Sequence, residues 1–150
     1  MATVTAVNIS KQKGTIKHPV AEGLLKIDHG IVGDSHAGNW HRQISLLAQE
    51  SIDKMTALGV PGLTPGKFAE NLTTEGIVLH TLPVGTLLLI GPCLTEVTQI
   101  GKQCHQHCEI YQKIGRCIMP TEGIFVKVLS EGAVRAGDSI RVVTREEAGL

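Results

Sequence analysis

The sequence predicts a mainly β domain of mixed α/β content, folded as a closed or nearly closed barrel with one or two short helices. Three observations lead there: short segments rich in β-branched residues recur between turns, 17 glycines punctuate the 150 residues, and helical periodicity is confined to a few turns of chain. A doubly wound sheet would require helices alternating regularly with strands, which this pattern lacks. The length suits one domain, residues 1–150, since folding buries roughly 68–70% of the unfolded surface at this size.

Residues 3–10 alternate apolar and polar side chains as a half-buried strand does, and residues 24–28 are the expected partner after a polar connection. Residues 85–91, an apolar run bounded by Gly85 and Gly91, form a third strand; residues 94–100, 123–130 and 139–144 add three more. Residues 45–58 carry the helical period, with Ala48, Ile52 and Met55 on one face, Glu50 and Lys54 at i, i+4, and Gly59 as a stop. A second, shorter helix is expected over 104–114, where Cys104 and Cys108 would share a side. Residues 83–90 and 133–143 share a tight turn feeding an apolar strand and read as barrel turns. Only residues 144–150 look frayed.

Formal net charge is zero with both signs interspersed, so the chain lacks the global field of a nucleic-acid-binding or anionic-membrane protein. The first ten residues alternate instead of forming a charged then apolar block, which excludes a signal peptide there and places the protein in the cytoplasm. No apolar run approaches the roughly 20 residues that span a bilayer. Four cysteines in such a chain are expected as thiols, since a reducing compartment disfavours disulfides. Cys93, after Gly91-Pro92 and without polar neighbours, reads as a small packed residue.

Three of the four cysteines, with His105 and His107, fall within residues 101–117. Lys102, Lys113 and Arg116 lie among them, and neighbouring cations favour the thiolate, which is both the nucleophile and the soft-metal ligand. Cys104, Cys108 and Cys117 with either histidine also make a permissible zinc or iron–sulfur donor set, though the spacing is not diagnostic of one. Simple packing of the thiols is the bland alternative.

Gly33-Asp-Ser-His-Ala-Gly38 and Asn39-Trp-His-Arg-Gln43 gather His36, His41 and Arg42 in a small-residue loop able to meet phosphate or carbonyl oxygens. Equally, Asp34 and Ser35 could form a turn that Trp40 anchors to the core. In residues 67–77, Asn71 could both donate to and accept from a heterocycle, or satisfy the backbone of a turn.

Taken in order, Gly33-Asp-Ser-His-Ala-Gly38, His41-Arg-Gln-Ile-Ser-Leu-Leu47, Phe68-Ala-Glu-Asn-Leu-Thr-Thr-Glu-Gly76, Gly101-Lys-Gln-Cys104 and Val134-Arg-Ala-Gly-Asp-Ser-Ile140 resemble the MOSC family, named for the C-terminal domain of molybdenum-cofactor sulfurases. The cysteine segment is similar to that of stand-alone bacterial members. The resemblance implies the MOSC β-barrel, binding of the molybdenum cofactor (molybdopterin), and one cysteine, Cys104, that carries sulfur as a persulfide or ligates molybdenum. It marks His36, Arg42 and Asn71 as pocket residues; the chemistry of a phosphate and a soft metal adds Lys102 and Cys104 as cofactor-binding groups. Cys108 and Cys117 are not general to the family and stand as a resolving thiol or metal ligands. Chain length leaves no room for a pyridoxal phosphate site, so a sulfurtransferase-type activity would need a sulfur donor such as a cysteine desulfurase. A molybdoenzyme or cofactor-biosynthesis protein would be the acceptor. The different-class alternative is a binding module whose Cys/His cluster at 104–117 holds structural zinc.

Overall fold

Alternation at the N-terminus becomes a strand as expected. The computed structural model describes residues 2–12, 15–101 and 119–150, with backbone alone at 119 and 120; in it β1 (Thr3–Ile9) buries Val4, Ala6 and Val7. Its neighbours are β2 (His18–Val20) and β6 (Leu72–Glu75), both antiparallel. The anticipated partner at 24–28 forms β3 (Gly23–Lys26) but pairs elsewhere, with β4 (Gly30–Ile31) and β10 (Gly132–Val134) in a separate three-stranded sheet. Gly23 shows why. A Cβ there would sit 3.0 Å from Val7 Cγ1, so β3 packs across the face of β1 instead of beside it.

The main sheet has eight strands in the order β11-β7-β8-β9-β5-β6-β1-β2, where β5 is Ile44–Ala48, β7 Leu87–Ile90, β8 Cys93–Ile100, β9 Ile124–Val128 and β11 Ile140–Val143. Helix α1 (Gln49–Ala57) begins later than the helical period suggested. Residues 44–48 are the strand β5, every residue buried, parallel to β6 and antiparallel to β9. A strand covered on both faces loses its polar alternation, and a short apolar run then reads equally well as helix. The parallel pairing also explains α1, since parallel neighbours need a long crossover. Glu50 and Lys54 do not pair along the helix: Glu50 accepts the Gly76 N–H at 2.8 Å and Lys54 binds Glu122 at 2.9 Å, on the short helix α2 (Met119–Glu122).

Two apolar clusters follow from this layering. Strands β1, β5, β7, β8 and β9 with β3, β4 and β10 enclose the larger, including Val7, Leu25, Ile31, Leu46, Leu88, Val97 and Val126. Leu47 and Phe125, on the opposite face, meet Ile52 and Met55 of α1 with Val60 and Phe68. Cys93 is fully buried in the larger cluster, as a small packed residue.

The sheet curls until residues 137–140, leading into β11, meet the start of β1 through one isolated bridge, Thr3 to Ser139, and three backbone bonds: Val4 N–H to Asp138 O at 2.8 Å, Gly137 N–H to Val4 O at 2.7 Å and Ile140 N–H to Ala2 O at 3.0 Å. No continuous ladder closes this seam among the described residues, so the architecture is a mainly β curled half-barrel. The similar turns before β7 and β11 serve strands that pair with one another. Residues 144–150, expected to fray, form a hydrogen-bonded turn. Thr144 Oγ1 accepts the Glu147 N–H while the Glu147 carboxylate accepts the Thr144 N–H, a reciprocal cap. The expected helix over 104–114 lies outside the described residues. No helix among the described residues is long and apolar enough to cross a membrane.

Candidate functional site

The loop after β4 is organised by a charge pair with no solvent exposure. Asp34 Oδ1 accepts Lys17 Nζ at 2.7 Å and the Ser10 N–H at 3.1 Å, and Oδ2 accepts the His36 N–H at 3.1 Å. Lys17 Nζ also donates to Ser10 Oγ at 3.1 Å and lies 3.1 Å from His36 Nδ1. Burial pushes the Asp34 carboxyl up, but the hydrogen bond and charge of Lys17, with the Ser10 N–H and the Asn71 amide, outweigh it and hold the group below its ordinary value. Trp40 does not anchor the loop to the core. It is 38% exposed, and its Nε1 donates to His36 O at 2.8 Å.

Asn71 stands beneath this loop, 1% exposed. Its Oδ1 accepts the Ser45 N–H at 3.0 Å and its Nδ2 donates to Asn8 O at 3.1 Å, so the amide ties the start of β5 to the end of β1. Glu70, also fully buried, accepts the Phe68 N–H at 3.2 Å and Thr73 Oγ1 at 2.8 Å. Burial raises its carboxyl despite those donors. Stability from a raised carboxyl is present below the unfolded value of 4.5 and is lost as pH rises through the higher folded value. Glu70→Gln should therefore match wild type near pH 4.5 and exceed it increasingly toward pH 8, read from urea midpoints at both. A variant weaker than wild type at pH 8 would mean that the carboxylate is ionised and used.

A second polar group forms where β8 ends. The β8–β9 register slips between Val97 and Gln99, and such a bulge re-aims the side chains beside it. Thr98 Oγ1 there donates to His41 O, while Gln99 Oε1 accepts Arg42 Nε at 3.1 Å and meets His41 Nε2 at 2.9 Å. Gln99 Nε2 donates to Gly101 O at 2.8 Å. The Arg42 guanidinium stands 5.5 Å from the Phe125 ring centroid and 5.9 Å from that of Trp40. Its terminal nitrogens have no hydrogen-bond partner among the described residues, which leaves donors suited to an oxyanion.

Of the sequence-derived candidates, His36 and Arg42 thus lie half-buried in one loop and Asn71 lies below it. Lys102, Cys104, His105, His107, Cys108 and Cys117 lie outside the described residues. No group of metal-ligating side chains occurs among the described residues. Sequence reasoning missed Lys17 and Gln99. Lys17 sits in the polar stretch Lys11-Gln-Lys-Gly-Thr-Ile-Lys17, which gives no sign that its last lysine is buried. Gln99 was read only as part of a strand.

The curled, strand-rich scaffold thus carries a polar loop between β4 and β5 with Arg42 at its end. The MOSC domain model matches residues 33–141, more than half of the chain, and the chain belongs to the MOSC family. Among solved structures it is similar to the YuaD protein of Bacillus subtilis, with 22% identity, a TM-score of 0.77 and 94% of each chain covered. YiiM of Geobacillus stearothermophilus is similar at 22% identity and TM-score 0.70, over 100% of this chain and 79% of that one. YiiM of Escherichia coli follows at 21% and 0.64, over 97% and 71%. At these identities the likeness shows the fold alone. No curated protein matches the chain.

Proposed function

We propose that this MOSC protein binds the molybdenum cofactor and uses the Cys104 thiolate as a persulfide carrier or molybdenum ligand. The observation that supports this most is the Arg42, His41 and Gln99 cluster at the exit of β8. Gln99 bonds directly to Gly101, three residues before Cys104 in the sequence, a separation that chain connectivity limits to about 11 Å between Cα atoms. The donor set suits the group: Arg42 for a phosphate, a thiolate for a soft metal, with Lys102 and His36 as further polar contacts. The cofactor would supply the dithiolene-bound metal. Asn71 enters the reading as the residue that fixes the pocket floor.

In the carrier reaction the Cys104 thiolate attacks the outer sulfur of a donor's persulfide, the donor's own thiolate leaves, and Cys104 holds the transferred sulfur. The donor is a separate cysteine desulfurase, and the acceptor a molybdoenzyme or a cofactor-biosynthesis protein in the cytoplasm. Incubation with a desulfurase and cysteine should add the mass of one sulfur to Cys104, reversibly by reductant, and the gain should vanish in Cys104→Ser. In parallel, Arg42→Ala should weaken cofactor binding by roughly 1.5–3 kcal/mol, the contribution of a hydrogen bond to a charged group, without unfolding. Sulfur uptake by Cys104→Ser at the wild-type level would refute the carrier role. Stoichiometric zinc retained against chelator would favour a structural metal site in residues 104–117.

A further inference from the structure

Three contacts fix the orientation of the Gln99 side-chain amide. Oε1 accepts the Arg42 Nε–H at 3.1 Å and lies 2.9 Å from His41 Nε2, while Nε2 donates to Gly101 O at 2.8 Å. Turning the amide over would set its N–H groups against the Arg42 donor and its oxygen against a carbonyl, so one orientation satisfies the set. An amide oxygen has two lone pairs, and Arg42 and His41 use both. Gln99 Oε1 therefore has nothing left for a ligand, and whatever it does there it does through the side chains it holds.

A guanidinium carries five N–H donors in a rigid fork and can grip an oxyanion side-on, through Nε and one terminal nitrogen, or end-on, through both terminal nitrogens. Gln99 occupies the Arg42 Nε–H, which removes the side-on fork. The end-on nitrogens have no partner among the described residues. The β8–β9 register sets Gln99 directly across from Phe125, whose ring centroid is 5.5 Å from the Arg42 guanidinium. Cross-strand partners share a face of the sheet, so the amide that ties Nε and the ring that supports the cation act from the same side. The tie is also uncharged. A carboxylate at this position would pair with Arg42 and compete with the negative charge of a ligand, whereas an amide takes one hydrogen bond and leaves the positive charge available.

We propose that Gln99 is a positioning residue that pins Arg42 by its Nε, so that both terminal nitrogens point together, end-on, at an oxyanion of the bound ligand. This deepens the reading of Arg42 as the contact to the cofactor's phosphate and rests on it for the ligand, but not for the clamp.

NMR of the Arg42 Nε–H in the ligand-free protein tests the clamp. In wild type this proton should exchange with water roughly two- to tenfold more slowly than in Gln99→Met, the protection that one ordinary hydrogen bond confers. An unchanged rate in folded Gln99→Met overturns the proposal. So does a wild-type Nε–H that exchanges as fast as that of an unstructured arginine, a result that decides the matter even if the variant fails to fold. Isolated molybdenum cofactor is the probe for the aim of the fork, titrated into wild type, Gln99→Met, Arg42→Ala and the double variant. Gln99→Met alone should weaken binding roughly two- to tenfold. In the Arg42→Ala background the same change should have no further effect, because the side chain it positions is gone. An equal loss in both backgrounds, the mark of a purely structural role, or no loss in the single variant overturns the proposal and leaves Arg42 as a ligand contact. Unchanged affinity in folded Arg42→Ala instead refutes Arg42 as the phosphate contact and with it the aim proposed here, leaving the clamp to stand on the exchange rates alone.

Discussion

Asp34→Ala is expected to destabilise the protein by about 3–5 kcal/mol, because it leaves an ammonium buried without its counter-charge. Lys17 and Asp34 side chains are both 0% exposed and 2.7 Å apart, so water cannot replace the lost carboxylate without opening the loop. For a chain of this length the midpoint of thermal unfolding should fall by on the order of 10 °C. Adding Lys17→Met to Asp34→Ala should recover a large part of the loss, since no charge then remains inside; the Ser10 and His36 N–H groups stay unpaired and limit the recovery. The acid limb offers a second check. A carboxyl held below its unfolded value of 3.8 contributes stability above that pH, which disappears as pH falls through the lower folded value. Wild type should lose this contribution below about pH 4, and Asp34→Ala should show no such loss. A single variant within about 1 kcal/mol of wild type would put the pair in the class of surface ion pairs and contradict its burial.

Gly66→Ala should be nearly as damaging for a different reason. The residue has φ of +92°, where a side chain costs about 1–2 kcal/mol, and its Cβ would fall 2.1 Å from Lys17 O. That neighbour is backbone, held by the Lys17 N–H to Gly66 O bond of 2.9 Å, and cannot swing aside. Overpacking of this kind adds about 1–3 kcal/mol, for a total of about 2–5 kcal/mol in urea unfolding. Gly62 is the control: φ is +71° but nothing lies within 4 Å of its Cβ, so Gly62→Ala should show only the conformational cost of about 1–2 kcal/mol. Equal losses at both glycines would mean that the Lys17 backbone is not seated against Gly66. Because the same contact places Lys17, the variant should also disturb His36.

Local chemistry decided much of this protein in the sequence alone. Alternation, β-branched runs and glycine turns marked β1, β3, β7, β8, β9 and β11, since a half-exposed strand must show its face in its residues. The ordered motifs pointed to the MOSC family, and Cys93 read as packing. What only the tertiary structure decided was everything that depends on partners distant in the chain. Strand β5 was hidden because burial on both faces erases alternation, and β6 because Leu72-Thr-Thr-Glu75 is a strand only beside β5 and β1. The pairing of β3 depended on a steric fit between Gly23 and Val7 that no local pattern encodes. Lys17 looked like any surface lysine until the fold set Asp34 against it, 17 residues away in sequence. Gln99 acquired its role from a bulge, which is a property of two strands together. Side-chain identity and spacing reveal what a residue can do, while the cost of burying a charge or an amide is set by neighbours that only the folded chain supplies.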